Sequence, residues 1–239
     1  MIIDLHNHIL PGVDDGAMSI EDSLEMAALA ARCGIKKIVA TPHYDYKTGT
    51  SLGALNDAYE SLVEALEYEK INIKIEKSME IMASNNLPQL LSEGKVWTYP
   101  NSSYFLVEFN YDEEKGYFDW LLDRCVEAGF IPVIAHPERY YAVRKHPEMA
   151  KVWMNKGFGV QINRDSLLGA FGEHAYNCSN FLLKNGWANC IASDAHSPHF
   201  RNNYWGEAFL KLPSLYGFNK LAYCLETIPE KILTNQSLI

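Results

Sequence analysis

"DLHNHILPGVDDG", residues 4–16, is the stretch on which the fold turns. It grows out of the apolar run "IIDLH" (2–6) and carries His6 and His8 one residue apart, then Asp14, Asp15 and Gly16. A run of aliphatic residues that ends on histidines has the composition of a strand with a polar end. Residues two apart in a strand share a face, so the two imidazoles project together. That pairing suits a metal and equally suits a polar surface. The later strand-like runs separate the two readings.

Those runs are "KIVATP" (37–42), "NIKIEKSMEI" (72–81), "YFLVEF" (104–109), "PVIAHP" (132–137), "FGVQIN" (158–163) and "ANCIASDAH" (188–196). Most are near-continuous hydrophobics, as strands buried on both faces are. Amphipathic segments lie between them. "SIEDSLEMAALAARCG" (19–34) has Ser19 as N-cap, Asp22 three residues on and Gly34 as its stop. "FDWLLDRCVEAG" (118–129) and "PEMAKVWMNKG" (147–157) follow the same plan. Residues 51–70, 174–186 and 204–212 are also helix-like, and the tail, 218–237, reads as one or two helices around Pro229. The order is β-α repeated about seven times, which predicts an α/β fold with a parallel sheet and helices outside. With no linker or charge run to divide it, the chain reads as a single domain, 1–239, and at this length a closed or nearly closed barrel.

In such folds the functional rim lies at the C-terminal ends of the strands. The first strand ends on His6 and His8, the second is followed by His43, and the third ends near Glu80. The fourth ends on Glu108, the fifth on His136, and the seventh on Asp194 and His196. Only the sixth, ending at Asn163, offers no strong ligand. Glu80 in "MEIM" and Glu108 in "YFLVEFN" would be costly to bury without a compensating charge. A histidine-rich set with carboxylates and no cysteine suits Mn²⁺, Zn²⁺ or Fe²⁺. It is too large for one ion, so two or three divalent ions are expected. Three such ions against Asp15, Glu80, Glu108 and Asp194 leave about +2, which attracts a phosphate dianion. Arg139 in "HPERY" and Arg201 in "DAHSPHFR" are the residues suited to forked phosphate contacts, although Arg139 could instead pair with Glu138 or Asp165 on the surface. Tyr140 and Tyr141 are candidates to line the mouth.

The 239 residues include 48% hydrophobic and 21% charged, with a formal net charge of −9. So acidic a chain lacks the basic surface that nucleic acid or an anionic membrane would attract. Cys33, Cys125, Cys178, Cys190 and Cys224 are odd in number and scattered, which fits neither a disulfide framework nor a zinc finger. None is followed by Arg at Cys-x5-Arg spacing, which excludes a thiol-based tyrosine phosphatase. The N-terminus carries neither a signal peptide nor an apolar span, so a cytoplasmic protein is expected.

Together, "DLHNH", "DDG", "ATPHY", "MEI", "LVEF", "PVIAHPERY", "QIN" and "ASDAH" resemble the polymerase-and-histidinol-phosphatase (PHP) family. "DLHNHILPGVDDG" with "AHPERY" looks especially like its bacterial protein-tyrosine phosphatases linked to capsule and exopolysaccharide synthesis. The resemblance implies a distorted (β/α)₇ TIM-like barrel with up to three metals, often manganese. It implies one ion on His6, His8, Glu80 and Asp194, a second on Glu80, Glu108 and His136, and a third on Asp15, His43 and His196. Asp14 stays an alternative to Asp15. The activity implied is hydrolysis of phosphotyrosine in a protein, such as the tail of a polysaccharide-synthesis tyrosine kinase, by in-line attack of a metal-held hydroxide. Arg139 and Arg201 would hold phosphoryl oxygens, and His43 or His196 would help the leaving group. Carboxylates at positions 15 and 108 weaken a histidinol-phosphatase reading. A metal amidohydrolase is the other enzyme class with His-x-His on a first strand; the lysine ligand common in that class is not found at a strand end here.

Overall fold

A computed structural model describes residues 1–46 and 49–239. Nine strands are present among them: β1 (Ile2–Asn7), β2 (Ile35–Ala40), β3 (His43–Tyr44), β4 (Lys74–Lys77), β5 (Glu80–Met82), β6 (Tyr104–Glu108), β7 (Ile131–Ala135), β8 (Gly159–Asn163) and β9 (Cys190–Ala192). All ladders between them are parallel. They form two sheets, ordered β1-β2-β4 and β3-β5-β6-β7-β8-β9. Parallel neighbours need long crossovers, and helices supply them: Ile20–Arg32, Leu52–Tyr68, Leu87–Ser92, Lys115–Glu127, Glu148–Asn155 and Gly172–Lys184. The first starts where expected, with Ser19 Oγ accepting from the Asp22 amide at 3.3 Å. No described helix is long and apolar enough to cross a membrane.

The run 72–81, expected as one strand, is broken between β4 and β5 at Ser78–Met79. The run 37–42 also ends early, because Pro42 has no amide to give to a ladder. These two breaks lie side by side. The Ser78 amide donates to Ala40 O at 2.8 Å and the Glu80 amide to Pro42 O at 3.0 Å. The chain thus passes from one sheet to the other at both places, and His43 lands opposite Glu80 in the β3–β5 register. The tail is helical over Phe218–Leu233, with a wide π turn at Tyr223–Thr227 and Pro229 opening the last stretch.

The far edge of β1 meets the end of β9. Asn7 bridges Ala195, the His8 amide donates to Ala195 O at 2.9 Å, and the Asp194 amide donates to His6 O at 2.9 Å. A buried polar knot holds this seam. The Asp4 carboxylate accepts from the Ser193 amide (2.9 Å), Ser193 Oγ (2.5 Å) and Asn7 Nδ2 (3.0 Å). Apolar packing does the rest. On β6 the alternate residues Tyr104 and Leu106 enter a small core with Val133, Cys190, Ile228 and Ile232. A larger core lies beneath the helices, including Met26, Phe118, Trp153 and Leu182. Glu108, next in the alternation after Leu106, is left at the strand's end.

Removing the hydroxyl from the seam leaves the fully buried Asp4 one donor short. Ser193→Ala is expected to cost about 1–3 kcal/mol with an unchanged denaturant slope, measured by urea unfolding. A stability equal to that of the unsubstituted protein would refute the role given to this knot.

Candidate metal centre

Polar groups at or just beyond the ends of β1, β6, β7 and β9 meet His43 and Glu80, which open β3 and β5; Glu80, expected near a strand's end, stands instead just after the break at Ser78–Met79. His6, His8, Glu80, His136 and Asp194 are buried, and Glu108 and His196 nearly so. His43 has a more open side chain, 37% exposed, and Asp15 is the most open of the set. Their donor atoms fall into four overlapping groups, each within 4.8 Å: His8, Asp15, His43 and His196; His6, His8 and Asp194; His6, Glu80 and His136; and His43, Glu80 and Glu108. The third set that the resemblance implies, Asp15, His43 and His196, falls within one group; three members of the first, His6, His8 and Asp194, form another; and the second is divided, with His136 beside His6 and Glu108 apart from it. Here Glu108 gathers with His43, and His8 is shared between two groups.

The donors fit a cation better than they fit one another. His6 Nε2 and His8 Nε2 lie 3.1 Å apart. Glu80 Oε2 is 3.2 Å from His6 Nε2 and 3.0 Å from His43 Nδ1. Yet Glu80 Oε2 and His196 Nε2 are buried and make no hydrogen bond among the described residues. Atoms this close and still unpaired converge on a shared centre.

Electrostatics leads to the same conclusion. Burial pushes the Glu108 carboxyl up, the charge of Glu80 adds to this, and it reaches about 7. Burial also acts to raise Glu80 and Asp194, but the imidazoles around them, His6 foremost, hold both well below the ordinary carboxylate range. Three neighbouring acids with such divided behaviour need positive charge beside them to be ionised together.

The adjacent aspartates differ in their contacts. Asp14 is drawn inward: its oxygens lie 2.8 Å from His8 Nδ1 and accept from the Gly16 (2.9 Å) and His43 (2.9 Å) amides. Burial pushes its carboxyl up, but the hydrogen bond and charge of His8 outweigh that and bring it down to about 2. Asp15 reaches the other way, its Oδ1 3.5 Å from both His43 Nε2 and His196 Nε2. Gly16 makes the turn possible, because a Cβ there would fall 2.2 Å from His8 O.

Both arginines turn to the cluster. Arg201 Nη2 lies 2.6 Å and Arg139 Nη1 3.5 Å from the same oxygen, Asp194 Oδ2. The alternative of a surface pair for Arg139 is overturned: Glu138 is fully buried and accepts from the Asn163 amide (2.9 Å) and Ser166 Oγ (2.6 Å), while Asp165 pairs with Arg164. Tyr140 is also corrected, being buried with its hydroxyl accepting from the Phe109 amide at 3.0 Å; Tyr141 is exposed. His146, His174 and His199 are exposed and lie outside the donor groups.

β8, which offers no strong ligand of its own, supplies support to the cluster. Gln161 Oε1 is 2.8 Å from His6 Nδ1, Gln161 Nε2 donates to Asn163 Oδ1 at 2.8 Å, and Asn163 Nδ2 donates to Asp194 Oδ2 at 2.6 Å. This relay fixes the ring of His6 and one oxygen of Asp194, as groups behind metal ligands do. Its signal was present in "QIN": residues two apart at a strand end share a face.

Glu138, itself outside the donor groups, gives a pH test. Burial raises its carboxyl to about 7 from an ordinary 4.5, and its Oε2 is unpaired. Between those values the folded state binds more protons than the unfolded chain, so this group lowers stability as pH rises. Glu138→Gln keeps both accepted hydrogen bonds and removes the titration. Its unfolding free energy in chelated protein is expected to gain on the parent between pH 5 and 8, by up to about 3 kcal/mol. Scanning calorimetry at the two pH values checks this; a constant difference would refute it.

Residues 2–234 match the family model described as capsular polysaccharide synthesis, CpsB/CapC. The tyrosine-protein phosphatase YwqE of Bacillus subtilis is 35% identical over 240 residues, covering 99% of this chain and 93% of YwqE. A solved structure from work on YwqE of Bacillus subtilis and CpsB of Streptococcus pneumoniae, described as unique metal-dependent tyrosine phosphatases, superposes with a TM-score of 0.91 at 34% identity. It covers 100% of this chain and 96% of that one. A histidinol phosphate phosphatase from Lactococcus lactis, at 14% identity and a TM-score of 0.56 over 90% of this chain and 92% of that one, shares the fold alone. With its family model spanning nearly every residue and a relative this similar along its whole length, the chain belongs to the CpsB/CapC capsular polysaccharide synthesis family.

Proposed function

We propose that the protein is a metal-dependent phosphatase that hydrolyses phosphotyrosine in proteins. The observation that carries this reading is the set of overlapping His/Asp/Glu groups faced by two arginines on one carboxylate. The relatives' names, tyrosine-protein phosphatases, support the substrate class. A second part of the proposal is architectural. The two sheets, joined at the paired strand breaks and at the β1–β9 bridge, make one distorted (β/α)₇ barrel of the PHP type, with the donors at one rim.

The ligands proposed are His6, His8, Asp15, His43, Glu80, Glu108, His136, Asp194 and His196, for two or three divalent ions. A nitrogen and oxygen donor set without thiolate favours Mn²⁺, with Fe²⁺ or Zn²⁺ as the alternatives. Such ions, when bound, make water nucleophilic near neutral pH and draw charge from phosphoryl oxygens. The remaining work falls to the chain. Arg139 and Arg201 fork onto the non-bridging oxygens and hold the phosphoryl group with its phenolate facing away from the buried cluster. His43, the most open of the clustered histidines, would meet the leaving phenolate, with the centre of the His196 ring 5.8 Å from its own. No cysteine takes part: Cys125, Cys178, Cys190 and Cys224 are buried thiols whose pKa values burial pushes up. All five cysteines are free, which fits a reducing, cytoplasmic setting. The family's role in capsular polysaccharide synthesis makes the tail of a polysaccharide-synthesis tyrosine kinase the proposed protein substrate.

EDTA is expected to abolish turnover of a phosphotyrosine peptide and Mn²⁺ to restore it, with phosphoserine peptide a poor substrate throughout. Full activity in chelator would overturn the proposal. Elemental analysis separates the two aspartates. Asp15→Ala should lose about one metal equivalent. Asp14→Asn should keep the stoichiometry at saturating metal but weaken affinity by roughly 10–100-fold, as loss of a group behind a ligand does. The reverse pattern would make Asp14 the ligand.

A further inference from the structure

Two aromatic residues at the site play no part in the roles assigned so far. Tyr111 lies just beyond the end of β6 and is 44% exposed. Phe171 lies between the helices Arg164–Leu168 and Gly172–Lys184, half-buried. Gly169 (φ 89°) and Gly172 (φ 83°) flank it in left-handed conformations that a side chain would strain. That short connection fixes where the phenyl ring stands.

The rings hold the arginines. The Arg139 guanidinium carbon is 4.7 Å from the centre of the Tyr111 ring and 4.9 Å from that of Phe171. The Arg201 guanidinium carbon is 5.5 Å from the same Phe171 ring. Phe171 is therefore a common support beneath both cations, and Tyr111 closes Arg139 on another side. A guanidinium stacked on a ring keeps its N–H edges free for an oxyanion. A phosphate ester bound on those edges carries its organic group one bridging oxygen away. For an aryl ester that group is a flat ring within reach of Tyr111 and Phe171. For an alkyl ester it is a methylene, which gains little from an aromatic surface.

We infer that Tyr111 and Phe171 form an aromatic wall that selects aryl over alkyl phosphates, with Phe171 also positioning Arg139 and Arg201. The inference rests on the phosphatase reading given above, and it names what sets the substrate class of that site.

Non-hydrolysable phosphonates test it. Phenylphosphonate and methylphosphonate carry the same charged head and differ in the group that would meet the wall. Titrated calorimetrically into the full manganese-loaded protein, phenylphosphonate should bind about five- to tenfold more tightly. Phe171→Leu and Tyr111→Leu should each reduce that preference to within about twofold, and Phe171→Tyr should keep it. Phe171→Leu should in addition weaken methylphosphonate about 3–10-fold, because the arginines lose their common support. A merely structural role would weaken both ligands equally and leave the ratio intact. No preference in the unsubstituted protein, a preference that survives both leucine substitutions, or no binding of either ligand overturns the inference. If Phe171→Leu lowers the thermal midpoint, the exposed Tyr111→Leu decides alone by the same ratio. Turnover of phosphotyrosine peptide by the unsubstituted protein, followed in parallel, reports separately on the phosphatase reading.

Discussion

Charge crowding governs this structure. Glu80 opens β5, Glu108 ends β6 and Asp194 follows β9, and all three lie buried within one cluster. Ionised carboxylates at such depth are too costly to keep unless cations or donors stand beside them. The protein supplies part of the compensation from its own chain. His6 and the imidazoles around it steady Glu80, and Arg139 and Arg201 steady Asp194. Glu108 receives least and is pushed to about 7 by burial and by the charge of Glu80. The unpaired nitrogens and oxygens in the cluster mark where the rest of the compensation belongs.

The backbone is bent to serve that cluster. His136, Asp194 and Arg201 have φ of 31°, 52° and 51°, in the left-handed region that non-glycine residues enter at a cost of order 1 kcal/mol or more each. These three residues would otherwise continue along their segments. The turn at each instead aims a side chain at the centre. The strand breaks at Pro42 and at Ser78–Met79 act on a larger scale. By passing two neighbouring strands between sheets together, they bring His43 and Glu80 into register.

Much of this was legible in the chain, because position along a parallel strand is a local property. An apolar run ending on His6, Glu108 or His136 shows both that a strand is there and which end carries the polar group. The arginines were legible from their neighbours in sequence, but the partner of Arg139 was not: Glu138 stood beside it in the chain and Asp194 beside it in space. The change of sheet at Ser78–Met79 was hidden for a similar reason, since a choice of ladder partner is not written in the run that makes it. Gln161 and Asn163 carry no charge and so gave no alarm, although their alternation put them on the site face. Tyr111 and Phe171 come from connections, where no periodicity points a side chain anywhere.

Asp194 divides its two oxygens between two tasks. Oδ1 faces His6 and His8 at 3.4 Å each, and Oδ2 faces Arg201, Arg139 and Asn163. The imidazole side and the guanidinium side of the centre therefore share one charge. Whatever draws electron density toward Oδ1 loosens the hold on the guanidiniums and frees them for an incoming anion. By reciprocity, an anion that engages the guanidiniums returns that density to Oδ1 and tightens whatever is bound there, by the same factor. Under the proposed function, one carboxylate would thus couple the affinity for cation to the affinity for anion.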